Sequence, residues 1–215
     1  MKPNHRHLSR PTTASVLLLF CLLSPLSAEA AEPQTQDGIA IGKPSIFRGL
    51  VPASGMERQA GSEYENMKQQ AAGQHALASE NHPQLRRLRA IANRMIPLAS
   101  RYNPRAAQWQ WEVNLIGSKQ INAFCMPGGK IAFFTGLLEG LKLTDDEAAI
   151  VMGHEVAHAL REHARERLAK SELTNLGADL LGQLVAQGKY AGAFRAGGSL
   201  LNLRFSRDDE SEADL

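Results

Sequence analysis

The spacing of apolar residues changes period along the chain, and each change marks an element. Tyr64, Met67, Ala71 and Ala78 recur at helical intervals, which predicts a helix from Ser62 to about Ser79. Asn81-His82-Pro83 interrupts it. Pro83 suits the first position of a second helix that carries Leu85, Leu88, Ile91, Ala92, Met95 and Leu98 in one stripe, and Tyr102-Asn103-Pro104 ends that helix. The period then drops to two. Trp109, Trp111, Val113 and Leu115 alternate with Gln110, Glu112 and Asn114, the pattern of a half-buried strand. Two shorter strands are predicted at 120–125 and 130–134, joined by the turn sequence Met126-Pro127-Gly128-Gly129. A short helical piece, 135–141, follows.

Thr144-Asp145-Asp146-Glu147 is a capping box, and its two Asp residues suit the positive end of a helix dipole. The helix it opens is expected to run unbroken to about Lys170, with Ala148, Val151 and His158 on one face. Leu173, Leu176, Leu180, Leu181, Leu184 and Val185 mark a further amphipathic helix, and a last one is expected from near Ser199 to the end. Residues 31–60 are rich in Pro, Gly, Ser and Ala without a clear period and read as a linker or extended arm, ahead of a domain spanning 61–215. The order of elements gives an α+β protein, helix-rich, with one small sheet.

Composition narrows the picture. A hydrophobic fraction of 43% allows a sizeable core, and a net charge of +2 without a basic block gives no ground for nucleic-acid binding. The first thirty residues read as a secretory signal peptide: Lys2, Arg6 and Arg10, then an apolar run from Ala14 to Leu23, then Ala28-Glu29-Ala30 as a cleavage signal. That run is too short to span a bilayer. The expected location is therefore the periplasm, with cleavage before Ala31. Removing three Lys/Arg and one Glu leaves 21 basic and 21 acidic side chains, so the excess charge belongs to targeting. Lipid attachment at Cys21 is disfavoured by the large Phe20 before it, and Cys125, left alone, cannot form an internal disulfide. Asp179, Lys189 and Arg195 interrupt the apolar stretch 173–203, which argues against a transmembrane helix and leaves room for a shallow membrane contact. Gly197-Gly198-Ser199 lacks the Lys and spacing of a phosphate loop.

The chemistry sits at His154-Glu155-Val156-Ala157-His158. Residues four apart share one face of a helix, so two imidazoles there can bind one zinc ion, with the intervening glutamate serving a water as base. A catalytic zinc takes three protein ligands and keeps a fourth position open. His163 fails as the third ligand on an unbroken helix, because nine residues at about 100° each carry it to the opposite side. It is expected to be solvated, or to sit behind the ligands. Glu210 and Asp214, four apart near the chain end, allow a division of labour: Glu210 binds the metal, and Asp214 accepts the other ring N–H of a ligating histidine. Glu212 is expected to point away.

Several segments together carry a resemblance: 121–130 with Asn-Ala-Phe-x-x-Pro-Gly-Gly, Thr135-Gly136-Leu137-Leu138, the segment 154–163, and Phe205 to Asp214 with Glu-x-x-Ala-Asp. In order and spacing over 62–215 they resemble the gluzincin family of HtpX, the Oma-type mitochondrial proteases and the CAAX prenyl endopeptidases. The resemblance is nearest to the soluble periplasmic BepA and LoiP branch. It implies a zincin-like fold, with the active-site helix packed on a small sheet. It implies one zinc per chain on His154, His158 and Glu210, with Glu155 as general base and Asp214 behind a ligand. It also implies that the strand Asn122, Ala123, Phe124 and Cys125 pairs with an extended protein substrate. The family's members continue for several helices beyond the position of Asp214, so the sequence is expected to be partial. The function so implied is an endopeptidase that removes misfolded or misassembled envelope proteins. Two rivals stay open: a chaperone or assembly factor holding clients on the same strand with little proteolysis, and a structural metal protein with a closed site.

Overall fold

A computed structural model describes residues 34–36, 39–41, 45–171 and 206–215. The expected signal peptide, the helix at 173–185 and the start of the last helix lie outside the described residues.

A two-stranded antiparallel pairing, β1 (Gln34–Gln36) with β2 (Ile39–Ile41), and a 3₁₀ turn at Ile46–Leu50 precede the first helix. That helix, α1 (Ala53–Gly73), begins at Ala53 rather than at Ser62, so the linker expected at 31–60 holds secondary structure. Pro52 stands at its N-cap, and Met56 and Ala60 continue the buried stripe of Tyr64 and Ala71 at the same spacing. Gly55, within the stretch read as a linker, is carried because that stripe is anchored in the core. The helix also stops earlier than Ser79. His75 takes a left-handed conformation (φ 55°), and Leu77 then bridges to Ile116 as an extended segment.

Helix α2 (Pro83–Tyr102) follows the expected stripe, with Leu85, Leu88, Ile91, Ala92 and Ala99 buried. A 3₁₀ turn at Pro104–Gln108 takes up the start of the expected strand, so β3 is Glu112–Ile116. Trp109 and Trp111 pack on each other with ring centroids 5.3 Å apart instead of extending β3. With β4 (Ala123–Met126) and β5 (Lys130–Phe134), β3 forms a three-stranded sheet in the order β3-β5-β4. The β3–β5 pair is parallel and the β4–β5 pair antiparallel. Asn122 lies just outside β4, though its carbonyl still accepts from Phe134 N–H at 3.1 Å. The turn between β4 and β5 needs Gly129. Its φ is +78°, and a Cβ there would meet the Trp111 ring at 2.7 Å.

After α3 (Thr135–Gly140) comes α4 (Asp145–Leu160), opened by the predicted capping box on Thr144 and Glu147. Two clusters flank the sheet. One joins α2, α4 and the sheet through Leu88, Leu115, Phe133 and Met152; the other joins α1 to the sheet through Met56, Tyr64 and Ala132. Tyr64 donates its hydroxyl to the Ile131 carbonyl, which ties α1 to the central strand. The protein is thus helix-rich around a small sheet, with α4 packed on β4.

The expectation of one helix to Lys170 is corrected. α4 ends at Leu160, Glu162 is left-handed (φ 57°), and a new helix, α5, runs over 163–171. A non-glycine residue in that region costs on the order of 1–3 kcal/mol and needs support. Here Arg48 donates to the Arg161 carbonyl at 2.7 Å, and Arg165 donates to both Glu162 oxygens at 2.9 Å. The last element is α6 (Arg207–Ala213), which packs against α4. Among the described residues, no helix is long and apolar enough to cross a membrane.

Candidate metal centre

The site is built where α4 and α6 meet. His154 and His158 are one turn apart on α4, and their Nε2 atoms face each other at 3.0 Å. Glu210 of α6 brings Oε2 to 3.3 Å from His154 Nε2 and 3.7 Å from His158 Nε2. These three ligand atoms lie within 4.8 Å of one another. Zinc–nitrogen and zinc–oxygen bonds near 2.0–2.1 Å at tetrahedral angles put neighbouring ligand atoms about 3.3 Å apart. The three observed separations bracket that value, and two imidazoles with a carboxylate are a zinc donor set, so the residues fit the ion. The same triad was read from sequence, and the structure brings all three together.

α4 is held rigidly. Its apolar residues Ala148, Met152, Val156, Ala159 and Leu160 are buried against the sheet and α2. A Cβ on Gly153 would lie 3.1 Å from Met95 Cε, so the residue before His154 stays small where α2 crosses. α6 has only seven residues, too few to be stable alone. It is fastened by a second capping box, in which Ser206 N–H donates to Asp209 Oδ2 at 2.7 Å and Asp209 N–H donates to Ser206 Oγ at 3.2 Å. Asp209 is itself buried, 3.6 Å from Arg167. This box follows Ser-x-x-Asp, a weaker form of the usual Ser-x-x-Glu, and could have been read from the sequence.

Behind the ligands, Asp214 Oδ1 lies 2.8 Å from His154 Nδ1, the contact expected of it. Of the two roles expected of His163, solvated or behind the ligands, the structure has the second. His163 is 2% exposed, with its Nδ1 2.9 Å from His158 Nδ1. The rotation argument holds for a straight helix, but the break at Glu162 turns the chain back toward the ligands. Glu212, expected to point away, is outside the ligand set and half-exposed. It accepts from Arg161 Nε at 3.0 Å and Nη2 at 2.5 Å, and lies 3.4 Å from His163 Nε2.

Electrostatics distinguish the groups. Burial pushes the Glu155 carboxyl up to about 7, with the His154 charge opposing and Glu210 adding to the rise. Burial, His163 and His154 push His158 down to about 4, so it is neutral at pH 7 and able to offer a lone pair. Burial likewise lowers His163. For Glu212, burial works to raise the carboxyl, but hydrogen bonding to Arg161 prevails and lowers it.

The strand residues lie alongside. Ala123 and Cys125 are buried under α4, while Phe124 faces the α1 side, edge-on to Tyr64 with centroids 6.5 Å apart. The Cys125 thiol is raised by burial first and by the Glu155 charge second. Among the described residues β4 is one edge of the sheet, with β5 on its inner side. Met126 and Asn122 turn their carbonyls toward the β5 side, accepting from Gly129 and Phe134. By strand alternation, Ala123 and Cys125 turn their backbone N–H and C=O groups outward.

Known proteins carry the same pattern. The chain is 42% identical over 105 residues to the mitochondrial metalloendopeptidase OMA1 of Arabidopsis thaliana, 48% of this chain and 21% of that protein. It is 40% identical over 80 residues to the mitochondrial metalloendopeptidase OMA1 of Bos taurus, 37% of this chain and 14% of that protein. It is 29% identical over 141 residues to the metalloprotease LoiP of Escherichia coli (strain K12), 64% of this chain and 52% of that protein. The matched segments thus span only part of each relative's length. The sequence profile of peptidase family M48 matches residues 82–215, which takes in every element of the metal centre, and the chain belongs to that family.

Proposed function

We propose that this protein is a zinc-dependent endopeptidase that cuts extended segments of other proteins. The observation that carries the reading is the His154, His158 and Glu210 triad, with Glu155 on the same helix, beside an outward-facing strand edge. Its M48 relatives are named metalloendopeptidases and a metalloprotease, which supports it.

Zinc, when bound, polarises the scissile carbonyl and makes water a nucleophile near neutral pH. The protein's own residues do the rest. The Ala123 and Cys125 backbones pair with an extended substrate by strand addition, which gives affinity with little dependence on side chains. Glu155 takes the proton of the attacking water and returns it to the leaving amine. A carboxyl poised near 7 is matched to both halves of that transfer. Asp214 holds the His154 ring by accepting its Nδ1–H.

The working location we propose is the bacterial cell envelope, entered through a cleaved signal peptide at residues 1–30, with misfolded or misassembled envelope proteins as substrates. The charge pattern of the first thirty residues supports the export step, and sequence-tolerant backbone pairing suits substrates of no fixed sequence. The test is hydrolysis of casein by the protein, its loss to a chelator and its recovery on adding zinc. A protein that suppresses aggregation of an unfolded client but never cuts it, with or without zinc, returns the chaperone alternative instead.

A further inference from the structure

The two zinc-ligating histidines are backed differently. His154 Nδ1 meets a carboxylate, Asp214. His158 Nδ1 meets another imidazole, that of His163, at 2.9 Å. We propose that His163 is a positioning residue of the metal site: brought back to the ligands by the left-handed turn at Glu162, it fixes the tautomer and ring orientation of His158, and is itself held by Glu212 and Arg161. The proposal rests on the metal-site reading given above.

Proton bookkeeping supports it. Two Nδ1 atoms at hydrogen-bond distance require one donor and one acceptor. If His158 presents the Nε2 lone pair to a metal, its proton sits on Nδ1, and His163 Nδ1 must accept. The His163 proton is then on Nε2, which points at Glu212 Oε2, 3.4 Å away. Glu212 accepts throughout and is clamped by two donors of Arg161. Every group has one consistent role, and reversing the His158–His163 hydrogen bond would put the His158 proton on the nitrogen that faces Glu210.

The scaffold points the same way. The ring of His163 is among the largest fully buried side chains. It reaches His158 only because Glu162 holds a conformation that glycine would adopt at lower cost. Three groups secure that turn: Arg48 on the Arg161 carbonyl and on Glu162, Arg165 on Glu162, and Asn103 Nδ2 on the Leu160 carbonyl at 3.0 Å. Arg161 therefore joins the turn to the chain of partners behind the metal, through its carbonyl on one side and its guanidinium on the other.

The test uses zinc itself as probe. Zinc dissociation constants of the parent, His163→Leu and His163→Asn would be measured by chelator competition, with thermal melting of the chelated forms alongside. Nitrogen-detected histidine NMR would read the His158 tautomer. Leu removes the acceptor. Asn places an amide oxygen near the former Nδ1 position. Loss of a partner behind a metal ligand typically weakens binding about 10–100-fold. We expect that loss in His163→Leu, a mixture of His158 tautomers in that variant, recovery to near the parent value in His163→Asn, and similar melting of the chelated forms. Parent-like zinc affinity in His163→Leu overturns the proposal, as does equal weakening by Leu and Asn. If His163→Leu does not fold, Glu212→Gln loosens the His163 ring from outside, and an unchanged affinity and tautomer there overturn the proposal too. A parent protein that takes up no zinc overturns the metal-site reading beneath it, an outcome separate from indifference to His163.

Discussion

α4 and α6 both deliver metal ligands and both open with a capping box, yet they are stabilised in opposite ways. α4 is sixteen residues long, buried on the sheet and against α2, and would stand without its ligands. α6 is seven residues long, with Ser206, Arg207, Asp208 and Ser211 exposed, and its place depends on the cap, on Arg167 and Arg161, and on the histidines it meets. The lesson is that the two histidines are preset by the core, while Glu210 arrives on an element whose docking and metal binding reinforce each other.

The largest effect should come from the preset side. His154→Ala or His158→Ala removes a ligand from a rigid helix that offers no substitute, and metal analysis should show zinc lost while the fold persists. Retention of full zinc in both variants would sink the site. Next comes Asp214→Asn on the other side, which weakens the acceptor behind His154. Zinc affinity should fall by about 10–100-fold, read by chelator competition, and an unchanged affinity would mean that His154 is oriented by other contacts.

The caps sharpen the contrast. Thr144→Ala and Ser206→Ala each remove an N-cap worth about 1 kcal/mol. In α4 the loss should appear as lower global stability, seen in the denaturation midpoint, with zinc affinity unchanged. In α6 it should appear as weaker zinc binding, by about fivefold for ~1 kcal/mol, with little change in the midpoint of chelated protein. The reverse pattern would contradict the division between the helices.

A finer effect concerns pH. The folded Glu155 carboxyl titrates near 7, above its ordinary 4.5, so between those values the folded chain holds a proton that the unfolded chain has released. In chelated protein, the stability of the parent relative to Glu155→Gln should therefore fall as pH rises from about 4.5 to about 7, and be level outside that window. Denaturant titrations across pH would read it. A flat difference would place Glu155 in a more solvated setting than its burial implies.

Much of α4 was legible because its signals are local: Thr144 with Glu147 at the start, and two histidines at one-turn spacing. The Gly129 turn was legible for the same reason, from the local Pro-Gly-Gly signal. Pairing Glu210 with Asp214 followed from spacing once a helix was assumed. The start of α1 was obscured by the Pro, Gly, Ser and Ala content of 31–60, although Met56, Ala60 and Tyr64 already shared one stripe. The break after Leu160 had no local signal. Leu160-Arg161-Glu162-His163 contains neither Gly nor Pro, and the turn is held by Arg48, more than a hundred residues away. Spacing alone left His163 either solvated or behind the ligands, and only that break decides between the two and brings His163 and Glu212 together.

The most direct test of the account joins zinc content to turnover in one substitution. Glu155→Gln keeps the shape of the side chain and leaves the triad intact, but cannot accept the water's proton. Its zinc content should match the parent's and its casein hydrolysis should be slower by at least ~10²–10⁴-fold, the usual worth of a general base. Hydrolysis at the parent rate by a zinc-loaded Glu155→Gln protein would contradict the account.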